Sequence, residues 1–220
     1  MTGFGTQLGV TVGEGSYFLA AELITAPAAF ITGAWVNGLL TVARTSRGAA
    51  PRYDLVTLIM PILIFALLIG GNMGVFGKFG GPLLFSQHFI FLDTLSFVCG
   101  MQNACFATLT KGQIRTTHLT GLSTDFGTDL ALTLAGELPD EEKTLLKKKN
   151  IMRAATFGSF FFGAAISAIV DSSLQYWSLA VPLTTSLFVT GVFFTVKYEI
   201  DHKADARSPQ PTGRLQTQRQ

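Results

Sequence analysis

Residues Leu119–Gly127 read LTGLSTDFG, and the chain opens on nearly the same phrase, MTGFGTQLG, at Met1–Gly9. The likeness continues beyond it. FITGAWVNGLL (Phe30–Leu40) follows the first copy and FFFGAAISAIV (Phe160–Val170) follows the second, each with a Gly-Ala step between aromatic and small apolar residues. The offset grows from 118 to 130 residues between these two matches, which assigns the extra residues of the second copy to the charged stretch ELPDEEKTLLKKK. A repeat of this length is settled first, because it dictates the architecture that composition then fills in.

Composition says what is repeated. The 220 residues set one domain as the default, and they are 48% hydrophobic but only 14% charged, against roughly 25% charged in an ordinary soluble domain. Five segments, 17–43, 55–76, 88–110, 151–171 and 173–196, hold most of the apolar residues. Each has about the 20 residues that a helix needs to cross a hydrocarbon core. Each TG phrase precedes two such segments, and the second phrase also follows one, so the unit is helix, TG phrase, helix, helix. The leading helix of the first unit is absent from the chain as written. Three helices per unit is an odd number, so successive units enter the membrane from opposite sides. The predicted fold is all-α: a polytopic transmembrane bundle of about five spanning helices in two inverted three-helix repeats. Repeat one covers 1–80 and repeat two 88–198, within a single domain 1–200. Residues 201–220 are polar, carry proline and form a disordered cytoplasmic tail.

The charge distribution gives the orientation. Arg44, Arg47 and Arg52, then Lys111 and Arg115, then Lys143–Arg153, then the tail from Lys197 fall on one side if the segments alternate; Lys78 alone falls on the other. The basic side is predicted to be cytoplasmic, with the N-terminus outside and the C-terminus inside, in an inner membrane. No cleavable signal peptide is legible, since the first sixteen residues hold no Lys or Arg. Cys99 and Cys105 point about 120° apart on one helix, which argues against a disulfide and for packing.

Polar residues inside the spans are the candidates for function. Asp93 is an ionisable group in an apolar helix, which costs several kcal/mol unless it is paired or hydrated. Asp93, Ser96, Gly100, Asn103, Ala104 and Ala107 share one face of the third segment, and that face must look into the bundle. Glu22 leads a related stripe with Ala26, Ala29 and Gly33, close to Pro27. Ala155, Ser159, Gly163, Ser167 and Asp171 form a seam of small residues on the fourth segment, which lets another backbone approach. Around the second TG phrase, Leu119, Leu122, Phe126, Leu130 and Leu134 lie at helical spacing, with Thr120 or Ser123 as the cap. That helix either dips into the membrane, with His118, Thr120, Ser123 and Asp125 lining an enclosed cavity, or lies at the interface as an amphipathic helix. His118 would titrate near neutrality.

CGMQNACFATLTKGQIRTTHLTGLSTDFG (Cys99–Gly127) resembles the signature of the YoaK family, bacterial integral membrane proteins typically of six helices with a domain of unknown function. The matching positions are Gly100, Asn103 and Ala104 in a G-x-x-N-A step, then Thr117, His118, Thr120, Gly121, Asp125 and Gly127. Met1, Thr2, Gly3 and Gly9 resemble an earlier phrase of that family, with Phe4 where the family has Asn. The resemblance implies a multi-pass bundle and leaves the activity open.

The leading functional expectation is a small-solute permease whose pathway lies between the repeats, lined by Glu22, Asp93, Asn103, His118, Thr120, Gly121 and Asp125. Its substrate would be a small molecule or anionic solute. The alternative is a non-transporting assembly or sensor module that docks a protein partner; a lipid-directed enzyme using Asp93 or His118 is a third. Hydrolase, zinc-protease and Walker motifs are lacking, so no enzyme, cofactor or metal is expected. The expected surroundings are a lipid bilayer, with a homo-oligomer compatible and no nucleic acid.

Overall fold

A computed structural model describes residues 2–80, 86–112 and 119–207. Their regular structure is entirely helical: α1 (Thr2–Gly13), α2 (Tyr17–Leu40), α3 (Val42–Ser46), α4 (Tyr53–Asn72), α5 (Ser86–Leu109), α6 (Leu119–Ala135), α7 (Asp140–Leu174), a 3-10 turn (Gln175–Leu179) and α8 (Ala180–Arg207). Four stretches are long and apolar enough to cross a membrane: Tyr17–Ser46, Tyr53–Asn72, Gln87–Leu109 and Asp140–Val196. The fourth holds two of the segments expected from the sequence. Gln175, with φ of +51°, ends α7 and the 3-10 turn separates it from α8.

Two boundaries differ from expectation. α7 begins at Asp140 rather than at 151, so the charged insert from Asp140 onward is continuous with the apolar segment that follows it. Pro139 precedes it, and Asp140, Glu141 and Glu142 fill the first turn, where carboxylates oppose the positive end of the helix dipole. At the other end, α8 runs to Arg207, beyond the expected boundary at 200. No Gly or Pro interrupts 192–207, so nothing in that stretch ends the helix. The rest of the tail, 208–220, lies outside the described residues.

α4 is the central element and packs against α5, α8 and the 3-10 turn. Val56, Met60, Ile64, Leu67 and Leu68 of α4 meet Val98, Met101 and Cys105 of α5 and Tyr176 and Leu179 of the turn in one buried cluster. At the glycine-rich end, Tyr176 lies against Gly71, where a side chain would strike its ring. Its hydroxyl donates to the carbonyl of Gly77 at 3.1 Å, and Phe79 and Phe91 meet it edge-on at 5.0 and 5.4 Å between ring centroids. Within 73–80 the glycine-rich stretch is turn structure, held by this tyrosine. Both cysteines are free.

α4 contains Pro61, which has no N–H to give to the carbonyl of Thr57 one turn earlier. That carbonyl receives the hydroxyl of Thr190 from α8 at 2.7 Å instead, in a buried bond. A neighbouring helix thus satisfies the backbone group that proline frees, as a lipid-facing medium demands. Thr190→Val should therefore lower stability by about 0.6–1.7 kcal/mol, the range for interhelical hydrogen bonds in membranes. In a Pro61→Ala background the same change should cost markedly less, because alanine restores the N–H. Unfolding in mixed micelles of the two single variants and the double variant checks this.

Candidate functional site

The tightest contact in the bundle is the crossing of α2 and α5. A Cβ built on Gly33 would fall on the carbonyl oxygen of Phe97, with Met101 N 3.0 Å away; one on Gly100 would fall on the carbonyl oxygen of Phe30, with Phe30 Cα 2.9 Å away. Both backbones are in contact, and each glycine is there because no other residue fits. Ala26, on the same stripe of α2, is fully buried. The polar-small face of α5 therefore does look inward, as its spacing predicted.

Asp93 sits on that face. Its Oδ1 accepts a hydrogen bond from Thr25 Oγ1 of α2 at 2.9 Å, and Thr25 also lies 2.6 Å from the carbonyl of Glu22. An aspartate at the centre of a spanning helix costs roughly 2.5–3.5 kcal/mol on insertion scales; Asp93, seventh in the span Gln87–Leu109, costs less, and a hydroxyl from the facing helix offsets part of it. Asn103 is half-buried on α5, ten residues further along and so about 15 Å towards the basic end. Glu22 is half-exposed on α2. Asn37, also on α2, is 1% exposed, and its Oδ1 has no partner among the described residues.

Thr120, Gly121 and Asp125 lie elsewhere, on α6, which packs against α7. α6 is already helical at Leu119, so Thr120 and Ser123 lie inside it and cap nothing. Ser123 donates back to the carbonyl of Leu119 at 2.8 Å, as hydroxyls inside helices commonly do. Asp125 faces Arg153 of α7, 3.5 Å from its Nη2, and is 64% exposed. Asp129, one turn on, makes the closer pair with Arg153 at 2.5 Å and is 21% exposed. Asn150 Oδ1 accepts from the same guanidinium at 3.2 Å. The expected set is therefore split between the α2–α5 crossing and the α6–α7 face. His118 lies outside the described residues.

Thr25, Asp129, Asn150 and Arg153 were not picked out from the sequence as site residues. A signal existed for Asp129, which follows Asp125 by four residues and so shares its face. Arg153 carries a different meaning in sequence, as one of a run of positive charges.

Arg153→Gln should release α6 from α7. We expect faster amide exchange across 119–135 and a stability loss of about 0.2–1 kcal/mol, as for partly exposed ion pairs. Asp129→Asn should reproduce most of that loss and Asp125→Asn less of it.

No curated protein matches the chain, and no solved structure does. A family model matches residues 1–192, nearly the whole described bundle. With its multi-pass apolar helices, the chain belongs to this YoaK-like family, described as protein of unknown function (DUF1275).

Proposed function

We propose that the chain is a membrane docking module in which α7 takes up a further transmembrane helix presenting a small residue at the crossing, as α5 presents Gly100 to α2. One contrast carries this reading. Gly33 is sealed against α5, whereas Gly163, its counterpart at the 130-residue offset, has nothing within 4 Å. The inverted-repeat reading behind this counterpart has support from both halves. α1 and α6 are each a shorter helix packed on the long helix that follows. Thr11 and Leu23, buried in α1 and α2, correspond to Asp129 and Arg153, which pair between α6 and α7.

Exposed aromatics alone would not argue for a partner, since lipid covers them equally well. Phe160, Phe161, Phe162, Ile166 and Ile169 are all exposed on α7. The seam of Ala155, Ser159, Gly163 and Ser167 is different, because small residues serve close approach of a backbone and gain nothing against acyl chains. Beyond Asn150, α7 buries no residue, whereas α4 buries eight of its twenty. On this reading the basic clusters lie on the cytoplasmic side of the inner membrane, by the positive-inside rule, and α6 is an interfacial helix held by Arg153.

A second reading, the small-solute permease, is favoured by one observation. A groove of about 400 Å³ opens between α7 and α8, lined among others by Gly163, Ser167, Asp171, Ser178 and Thr185. A helix laid on α7 would turn it into an enclosed chamber with several hydroxyls and a carboxylate. A solute would pass there rather than along the Asp93 face of α5, which is closed by backbone contact at Gly33 and Gly100. Neither reading assigns an enzymatic step.

The probe for docking is a synthetic helix of residues 86–109, which carries the face that α2 accepts. Donor-labelled protein in liposomes should show saturable energy transfer to the acceptor-labelled peptide. Transfer should vanish in Gly163→Leu and persist in Gly38→Leu. Gly163→Leu should unfold at the parent temperature, whereas Gly33→Leu should lose at least the 1–3 kcal/mol typical of overpacking. Equal transfer to the parent and to Gly163→Leu, or no transfer at all, would sink the proposal. Solute flux from the same liposomes that Asp171→Asn abolishes would move the assignment to the permease.

A further inference from the structure

Between α6 and α7, below the Arg153 pairs, lies a cleft of about 300 Å³ walled by Phe126, Leu130, Ile151 and Ala154, with Lys147 and Asn150 in its lining. Asn150 is 7% exposed. Its Oδ1 is taken by Arg153, while its Nδ2 is buried with no partner among the described residues. An orphaned amide donor at that depth costs about 1–3 kcal/mol, so the group that answers it must be an acceptor. A lone water fits badly, because it needs two to four polar partners. The third polar residue of the lining, Thr133, already spends its hydroxyl on the carbonyl of Asp129 at 2.6 Å.

Lys147 adds a charge to the donor. It lies three residues before Asn150, on the same side of α7, and no carboxylate lies within ion-pair distance of it among the described residues. Arg153 is not available for a ligand, since Asp125 and Asp129 hold it. The level is equally specific. α7 changes from the charged Asp140–Arg153 to an apolar run that begins at Ala154, and such a change marks the headgroup boundary of a spanning helix.

We propose that this cleft binds one anionic phospholipid of the basic-side leaflet, its phosphate held by Lys147 and the Asn150 amide and the upper part of an acyl chain lying against Phe126, Leu130, Ile151 and Ala154. The inference is independent of the docking reading, which concerns α7 beyond Ala155. Juxtamembrane lysines attract anionic lipid at about 1 kcal/mol each; the cleft adds a buried donor and an apolar wall that a free lysine lacks.

The test is retention of phosphatidylglycerol against phosphatidylcholine by the full chain, read by native mass spectrometry and by thermal midpoint in nanodiscs. Phosphatidylglycerol should be retained at least tenfold more strongly and raise the midpoint saturably. Lys147→Gln and Asn150→Leu should each remove that preference. Asn150→Leu fills the cleft and deletes the orphan donor, so its midpoint in phosphatidylcholine alone should match or exceed the parent, which separates lipid loss from unfolding. Lys148→Gln and Lys149→Gln, outside the cleft lining, should keep the preference. The proposal fails if the parent shows none, if Lys148→Gln and Lys149→Gln lose as much as Lys147→Gln, or if inorganic phosphate or oleate gives the same midpoint shift.

Discussion

Helices in hydrocarbon gain nothing from hiding apolar side chains from one another, because the lipid tails are as apolar as leucine. What remains is close approach and the hydrogen bonds it permits. In this bundle that approach is made at Gly33 and Gly100, where two backbones meet without an intervening side chain. The rest follows from the register they set. α5 is held so that Asp93 reaches Thr25 on one side, while Val98, Met101 and Cys105 present themselves to α4 on the other. α4 in turn is tied to α8 through the carbonyl that Pro61 leaves free.

Much of this was legible in the residues themselves. Spans are fixed by length and apolarity, and the inward face of α5 by the spacing of Asp93, Gly100 and Asn103. The features that were not legible have a common character: each depends on a partner distant in sequence. Pro61 announces an unfilled carbonyl, but nothing near it names Thr190, 133 positions away in the bond it completes. Thr25 is an unremarkable hydroxyl until Asp93 is opposite it. Arg153 reads as one more positive charge in a basic run, and only the packing of α6 on α7 shows which carboxylates hold it. The early start of α7 is a different case. The acidic first turn after Pro139 was present in the sequence, but the expected segment began only at 151, where the lysine run gives way to apolar residues.

On the repeat reading, the two halves solve one packing problem with different chemistry. In the first, the positions matched to Asp129 and Arg153, Thr11 of the short helix and Leu23 of the long one, are both buried. The second uses Asp129 and Arg153, partly exposed. Buried, uncharged positions are insensitive to salt, whereas a partly exposed ion pair is screened within a Debye length of about 10 Å at 0.1 M. The basic-side helix is therefore the joint whose strength depends on its ionic surroundings.

The bond between Thr25 and Asp93 also bears on how the chain is made. The window containing Asp93 has a mean hydropathy of 1.3, against 2.3 for α4, so α5 is a weaker candidate for entering the bilayer unaided. Synthesis runs from the N-terminus at roughly 5–20 residues per second, and α2 precedes α5 by about fifty residues of chain. By the time the ribosome delivers the carboxylate, the hydroxyl that receives it and the glycine that admits its helix are already in place. The order of the genetic text is thus also an order of insertion, in which the helix that needs a host arrives after the host.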